Sequence, residues 1–276
     1  VGTGHCDMHA WDVSRITYFF ELFKNDATSG ANFTTFNVDI DSWDVSQVTS
    51  MNWIFWDAPN FNHPISSWDT AQVTELDYAF EVDAAIGLSF NQDIGSWNTA
   101  KVESMQQTFG SMRNFNQDIG AWNTHHLNDM KRTFYNAKKF NQDINSWVTF
   151  HVTSLHGTFH GASSFNQPVD NWPTTNVLSM EETFRLSEFN QDIGSWHTGK
   201  VTTMEGTFRE NFQFNQDIGT WDTGEATTLR LMFAEAYRFD QDINGWDIGK
   251  VTSLDSTFAV NNEFNSDLSK WDTSKV

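Results

Sequence analysis

The sequence predicts a repeat solenoid of about eleven coils of about 25 residues, each with one short parallel strand and one short helix. Three observations lead there. Tryptophan recurs at Trp11, Trp43, Trp68, Trp97, Trp122, Trp147, Trp172, Trp196, Trp221, Trp246 and Trp271, mostly in steps of 25. The apolar residues around each tryptophan keep fixed offsets from it. The departures from the period, steps of 32, 29 and 24, all fall in one part of the unit: between Phe23 and Phe36, between Phe80 and Phe90, and between Phe184 and Phe189. Length changes confined to one place mark an outward loop on a regular scaffold.

The unit from Phe90 to Phe109 justifies each element in turn. Phe90 and Ile94 share one parity, as inward residues of a strand do, and Trp97 follows at a turn. Val102, Met105 and Phe109 then fall three and four residues apart, which predicts a short helix with one apolar face. Such a unit cannot bury its apolar edge alone, so the coils must stack, and residues 1–276 read as a single domain with loop insertions near 24–35 and 81–89.

Composition fits a folded chain. Hydrophobic residues make up 38% and aromatics 15%, with 25 Phe and 13 Trp, which is too apolar for an acidic disordered segment. Sixteen basic against 36 acidic side chains give a formal charge of −20, which argues against nucleic acid and anionic membrane as partners. No apolar run is long enough to span a bilayer, and the one cysteine, Cys6, builds no disulfide framework. Opening at Val1 without methionine fits a processed secreted protein or a segment of a longer one.

The string Phe-Asn-Gln-Asp-Ile-x-x-Trp-Asp/Asn-Thr, then Val-Thr-x-Met and Thr-Phe, resembles the BspA-like bacterial surface-protein repeats over Trp11 to Val276. That family is regarded as leucine-rich-repeat-like. The resemblance implies an extracellular or cell-surface protein engaged in adhesion or recognition. This chain departs from it in carrying Thr108, Thr133, Thr158, Thr183, Thr207 and Thr257 where a second methionine usually precedes the phenylalanine.

Three polar columns have structural readings. Asparagines after the phenylalanine, such as Asn91, Asn116 and Asn141, can bond the backbone of adjoining coils. Carboxylates four residues before tryptophan, such as Asp7, Asp93, Asp118 and Asp143, either satisfy local N–H groups or share a calcium ion, the one cofactor the sequence leaves open. Threonines two residues after tryptophan read as hydroxyls satisfying the backbone at the turn.

Function is sought where an outward column breaks its own rule. His125, His126, Val148, Phe150, His151 and Leu178 depart from their columns in consecutive coils and predict one partly apolar, titratable patch. Trp53, Trp56 and Tyr78 replace the polar residues of the predicted helix in the N-terminal coils, near Phe20. They are either an exposed aromatic site or rings covered by the insertions, and covering is the expectation. Asn32-Phe33-Thr34 is a glycosylation sequon.

Catalytic and metal patterns are weak. His5-Cys6-Asp7-Met8-His9 clusters ligand types at the terminus, and His156 and His160 lack the adjacent glutamate of a metalloprotease helix. The expectation is therefore a non-catalytic scaffold displaying surface to a protein or glycan partner. The alternative is an architectural subunit assembled into a larger complex, and a polysaccharide-active enzyme stands behind both.

Overall fold

The stacking of the coils rests on one bond repeated along the chain. In the computed structural model, which describes residues 8–23, 33–56, 58–81 and 89–276, the indole N–H of each periodic tryptophan from Trp43 to Trp271 donates to a carbonyl of the preceding coil. Trp97 reaches Ile65 at 3.0 Å, Trp122 reaches Ile94 at 3.0 Å, Trp147 reaches Ile119 at 3.1 Å and Trp246 reaches Ile218 at 3.1 Å. Successive indoles lie nearly parallel, 6.2 Å apart for Trp97 and Trp122 and 6.4 Å for Trp122 and Trp147. Nine tryptophans from Trp43 to Trp246 are buried, while Trp11 is exposed and stacks on Trp43 with one face.

Two phenylalanine ladders run beside the tryptophans. Phe109, Phe134, Phe159 and Phe184 stack at 5.5, 5.5 and 5.6 Å, and Phe115, Phe140 and Phe165 at 6.1 and 5.9 Å. Within each coil the two ladders also touch, Phe134 on Phe140 at 4.1 Å. Burying one such ring stabilises by roughly 1.5–3 kcal/mol, so a few aromatic columns hold the whole array. The Ile, Val and Met columns complete the same continuous core.

The polar columns join coil to coil. Asn91 Oδ1 accepts the backbone N–H of Asn116, Asn116 Oδ1 that of Asn141, and Asn141 Oδ1 that of Asn166, each at 2.9 Å. The threonines after tryptophan are buried from Thr70 to Thr223, and most donate forward, as Thr99 Oγ1 does to the Asn123 carbonyl at 3.1 Å. The threonines before phenylalanine are buried too and donate backward, Thr133 Oγ1 to the Met105 carbonyl at 2.9 Å. The Met105 carbonyl already holds the Thr108 N–H, so the hydroxyl adds a second bond that ties one coil to the next, which a thioether cannot donate.

The backbone departs from the expected strand and helix. Between phenylalanine and tryptophan, where a strand was expected, no backbone bond links the coils among the described residues, and the asparagine column provides the link instead. Parallel pairing falls on the other arm, just before the methionine column. It runs Tyr18, Ser50, Glu75, Ser104 and Asp129, then Ser154, Ser179, Thr203, Thr228 and Ser253.

The expected helix from Val102 to Phe109 is also absent, and the only helical element among the described residues is a 3-10 turn at Met8–Ala10. Along 105–112 the N–H groups of Met105, Gln107, Phe109 and Ser111 donate to carbonyls of the next coil. Those of Thr108, Gly110 and Met112 donate three residues back. Gln107 and Ser111 take φ of 51° and 60°, and the same left-handed positions recur at Arg132 and Asn136, Glu182 and Leu186, and Glu210. A left-handed residue every fourth position breaks an α-helix, yet it still turns every third or fourth side chain inward. The helical spacing therefore came from a string of tight turns whose remaining N–H groups are satisfied by the neighbouring coil.

Candidate functional site

Recurring side chains are engaged inside this lattice, so the candidate surface consists of those that do not recur. Most of the central residues singled out in the sequence face water. His125, His126 and His151 are exposed, and Phe150 and Leu178 keep 49% and 46% of their surface in water. Leu127, Val152 and Val177 beside them fill the core, while His125–His126 and Phe150–His151 sit on turns that the Leu127 and Val152 N–H groups close on the Thr124 and Thr149 carbonyls.

Local bonds fix the patch. His125 Nδ1 lies 2.9 Å from Asn123 Oδ1, and His126 Nδ1 lies 2.9 Å from the Ala100 carbonyl of the preceding coil. The Phe150 ring meets the edge of the His151 imidazole at 5.3 Å, and Asn176 Nδ2 donates to the Phe150 carbonyl at 2.9 Å. Leu178 joins its neighbours through backbone, its N–H bonding the Thr153 carbonyl at 2.8 Å. Val148 is half-buried and its N–H donates to Thr124 Oγ1 at 2.7 Å, so it supports the patch rather than contacting a ligand.

The N-terminal aromatics form a separate stripe several coils away. Trp53 and Tyr78 are half-buried and stacked at 4.5 Å, both at left-handed positions, with φ of 55° and 56°. Phe20 meets Trp53 edge-on at 5.3 Å, and Tyr18 stacks on Phe20 at 5.7 Å. Tyr18 and Phe20 are the exposed members, at 52% and 44%. Trp56 is half-buried, its N–H on the Trp53 carbonyl at 3.1 Å. Most of both insertions, His5, Cys6 and Asp7, and Asn32 of the sequon lie outside the described residues. Because Trp53 and Tyr78 turn faces to each other, the stripe offers mainly ring edges.

Sequence reasoning missed a charged cluster on the turn strings. His160 Nδ1 lies 3.2 Å from Glu182 Oε2, Arg185 reaches Glu182 Oε1 at 2.6 Å and Glu210 Oε1 at 3.2 Å, and Arg209 joins Glu210 at 3.0 Å. The hydrogen bond from His160 and those of Arg185 hold the Glu182 carboxyl down at about 2. A carboxylate held so low cannot exchange protons near neutrality, which makes this an anchoring cluster rather than acid–base machinery. Beside it, where one residue is missing between Phe184 and Phe189, a groove of about 280 Å³ is lined by Lys138, Gly161, Leu186, Glu210 and Phe212.

Asp77, on the pairing arm, is the second shifted group of interest. Desolvation pushes its carboxyl above the ordinary value, and the nearby Asp129 and Glu75 add to the shift. The bonds it accepts from Ser104 Oγ and the Gln106 N–H oppose it.

The carboxylates four residues before tryptophan each accept a local N–H, as Asp93 Oδ1 does from Gly95 at 2.8 Å and Asp118 Oδ1 from Gly120 at 2.9 Å. Among the described residues no group of three His, Cys, Asp or Glu side chains converges to hold a metal.

Stacked coils with a recurring core and a non-recurring surface define a repeat protein. A family model described as "Mycoplasma protein of unknown function, DUF285" matches residues 5–87, 26–139, 82–192 and 179–276, overlapping segments that together span nearly the whole sequence. The chain belongs to that family. No curated protein and no solved structure matches it.

Proposed function

We propose that this chain is a non-catalytic display scaffold for recognition or adhesion at a cell surface, a leucine-rich-repeat-like solenoid of the BspA-like kind. The observation carrying the proposal is a division of labour between side chains. Recurring polar groups bond neighbouring coils, whereas Phe150 and Leu178 stand in water at positions where other coils carry small or polar residues. Large apolar side chains held outward on a stiff lattice lose little freedom on binding, which favours protein recognition. The N-terminal stripe is a second contact of the same kind, and its ring edges fit a protein surface better than a stacked sugar.

The test is retention of beads coated with the chain on cultured cells under flow, with albumin-coated beads as reference. Beads carrying the chain are retained, and a Phe150→Ser/Leu178→Ser variant with unchanged circular dichroism is retained less. Retention no better than albumin overturns the reading. Obligate association of the isolated chain in sedimentation replaces it with an architectural role.

A further inference from the structure

Charge along one face of the array changes sign, and the change coincides with the central patch. This face consists of the first, third, fourth and sixth residues after each tryptophan. Its first position carries carboxylates in the outer coils, Asp44 and Asp69 on one side and Asp222, Asp247 and Asp272 on the other. In between, the same position reads Asn98, Asn123, Val148, Pro173 and His197, five successive coils without a carboxylate.

The same coils expose Lys101, His125, His126, His151, His197 and Lys200 on this face, with Glu103 as its single acid. Lys101 bonds Gln72 and Lys200 bonds Asn176, both neutral amides. Lys250, beyond the band, is instead neutralised by Glu225 at 2.6 Å. In a chain of net charge −20, this face of these coils repels an anion less than the same face of the outer coils does. Phe150 and Leu178 stand inside it.

The groups facing the imidazoles are few. His125 meets Asn123, and His126 meets the Ala100 carbonyl with Lys101 and Glu103 in the same preceding coil. His151 meets the Phe150 ring, and His197 lines a groove with Lys200 and with the Asp222 carboxylate of the following coil. The carboxylates on the corner before the tryptophans already have partners: Asp118, Asp143 and Asp192 hold N–H groups of Gly120, Asn145 and Gly194, and Asp170 accepts from Asn145 Nδ2.

We infer that this band docks an acidic protein segment bearing apolar anchors, and that acidification strengthens the docking as its imidazoles gain protons. Histidine is the side chain that changes charge between about pH 5 and 8, and each proton gained adds to the attraction for a carboxylate-rich partner. The apolar pair decides the class of partner. A sulfated polysaccharide would satisfy the charges but leave Phe150 and Leu178 wet, whereas a peptide brings apolar side chains to cover them. The inference rests on the display reading and adds partner chemistry and a pH response to it.

The probe is a labelled glutamate-rich peptide with interspersed leucines, compared with its glutamine counterpart by fluorescence anisotropy at about pH 7.5 and about pH 5.5, with dextran sulfate as competitor. The glutamate peptide binds about tenfold more tightly at the lower pH, and the glutamine peptide does not share the gain. His125→Gln/His126→Gln/His151→Gln/His197→Gln abolishes the pH response with unchanged circular dichroism, and Phe150→Ser/Leu178→Ser weakens binding at both pH values. Equal affinity at the two pH values overturns the inference, as does a pH response that survives the histidine variant. Competition by dextran sulfate that ignores Phe150→Ser/Leu178→Ser makes the band a polysaccharide site instead. If coated beads adhere while the peptide fails to bind, the display reading stands and only the partner assignment falls.

Discussion

Trp147 and Ile119 belong to successive coils and are joined by a buried bond, the indole N–H on the isoleucine carbonyl at 3.1 Å. Trp147 thus does two jobs, filling the core and giving the Ile119 carbonyl a second donor, from the next coil, beside the Trp122 N–H of its own. Trp147→Ala should cost about 3–5 kcal/mol through the cavity it leaves. Trp147→Phe should cost less, about 0.5–1.5 kcal/mol, because it keeps much of the volume and the Ile119 carbonyl loses only its bond to the next coil, keeping the Trp122 N–H. Urea unfolding of both variants checks the order, and a phenylalanine variant as stable as the parent would show that the bond contributes nothing.

Asn52 and Asp77 perform the same task one coil apart. Asn52 Oδ1 accepts the Asp77 N–H at 2.8 Å, and Asp77 Oδ1 accepts the Gln106 N–H at 2.8 Å. An amide oxygen therefore suffices at this position, while the charge of Asp77 suffers desolvation and faces Asp129 and Glu75. A carboxyl raised in the folded state favours folding below its unfolded value and loses that contribution as pH rises through the folded value. Asp77→Asn should stabilise the protein at neutral pH, and the advantage should shrink on acidification toward about pH 4. Melting curves at the two pH values measure it.

The period, the inward tryptophans and the exposed central patch were legible because each follows from which side chains repeat. Phe150 and His151 break outward columns, and a broken column needs no knowledge of the backbone path. The strand and helix were misplaced because inward spacing reports side-chain direction, not hydrogen-bond partners. Val102, Met105 and Phe109 face the core from a string of turns as well as they would from a helix. The column of Gln107 and Arg132 held one available signal, the glycines Gly157 and Gly206, which mark a left-handed position. The link between His160 and Glu182 was out of reach, since it joins different columns of adjoining coils and depends on the turn geometry.

Phe150→Ala with His151→Ala should leave the melting temperature nearly unchanged, since both side chains lie outside the core and each contacts chiefly the other. Surface changes of this kind usually stay within about 0.5 kcal/mol. A large loss of stability in calorimetry would mean that the patch holds coils together rather than facing a partner.

Gly161 tests the turn string itself. Its φ is +72°, and a Cβ there would collide with Asn136 Oδ1 of the preceding coil. Gly161→Ala should cost about 1–3 kcal/mol, part from the left-handed backbone and part from displacing the amide. Adding Asn136→Ala removes the clash but not the backbone strain, so the double variant should lose less than the sum of the two single changes. Strict additivity in urea unfolding would mean that the amide moves aside freely.

Glu182 supplies the acid-side prediction. Bonds from His160 and Arg185 hold its carboxyl at about 2, below the ordinary 4.5. A carboxyl depressed in the folded state contributes stability that is complete above the unfolded value and disappears as pH falls through the folded one. The difference in stability between the parent and Glu182→Gln should therefore be constant from neutrality down to about pH 5 and close progressively toward about pH 2. Arg185→Met should flatten the same profile, because the glutamate then keeps only His160. A parent and Glu182→Gln variant that lose stability in parallel across that window would show that the ion cluster does not couple these coils, and that the aromatic ladders alone hold the register there.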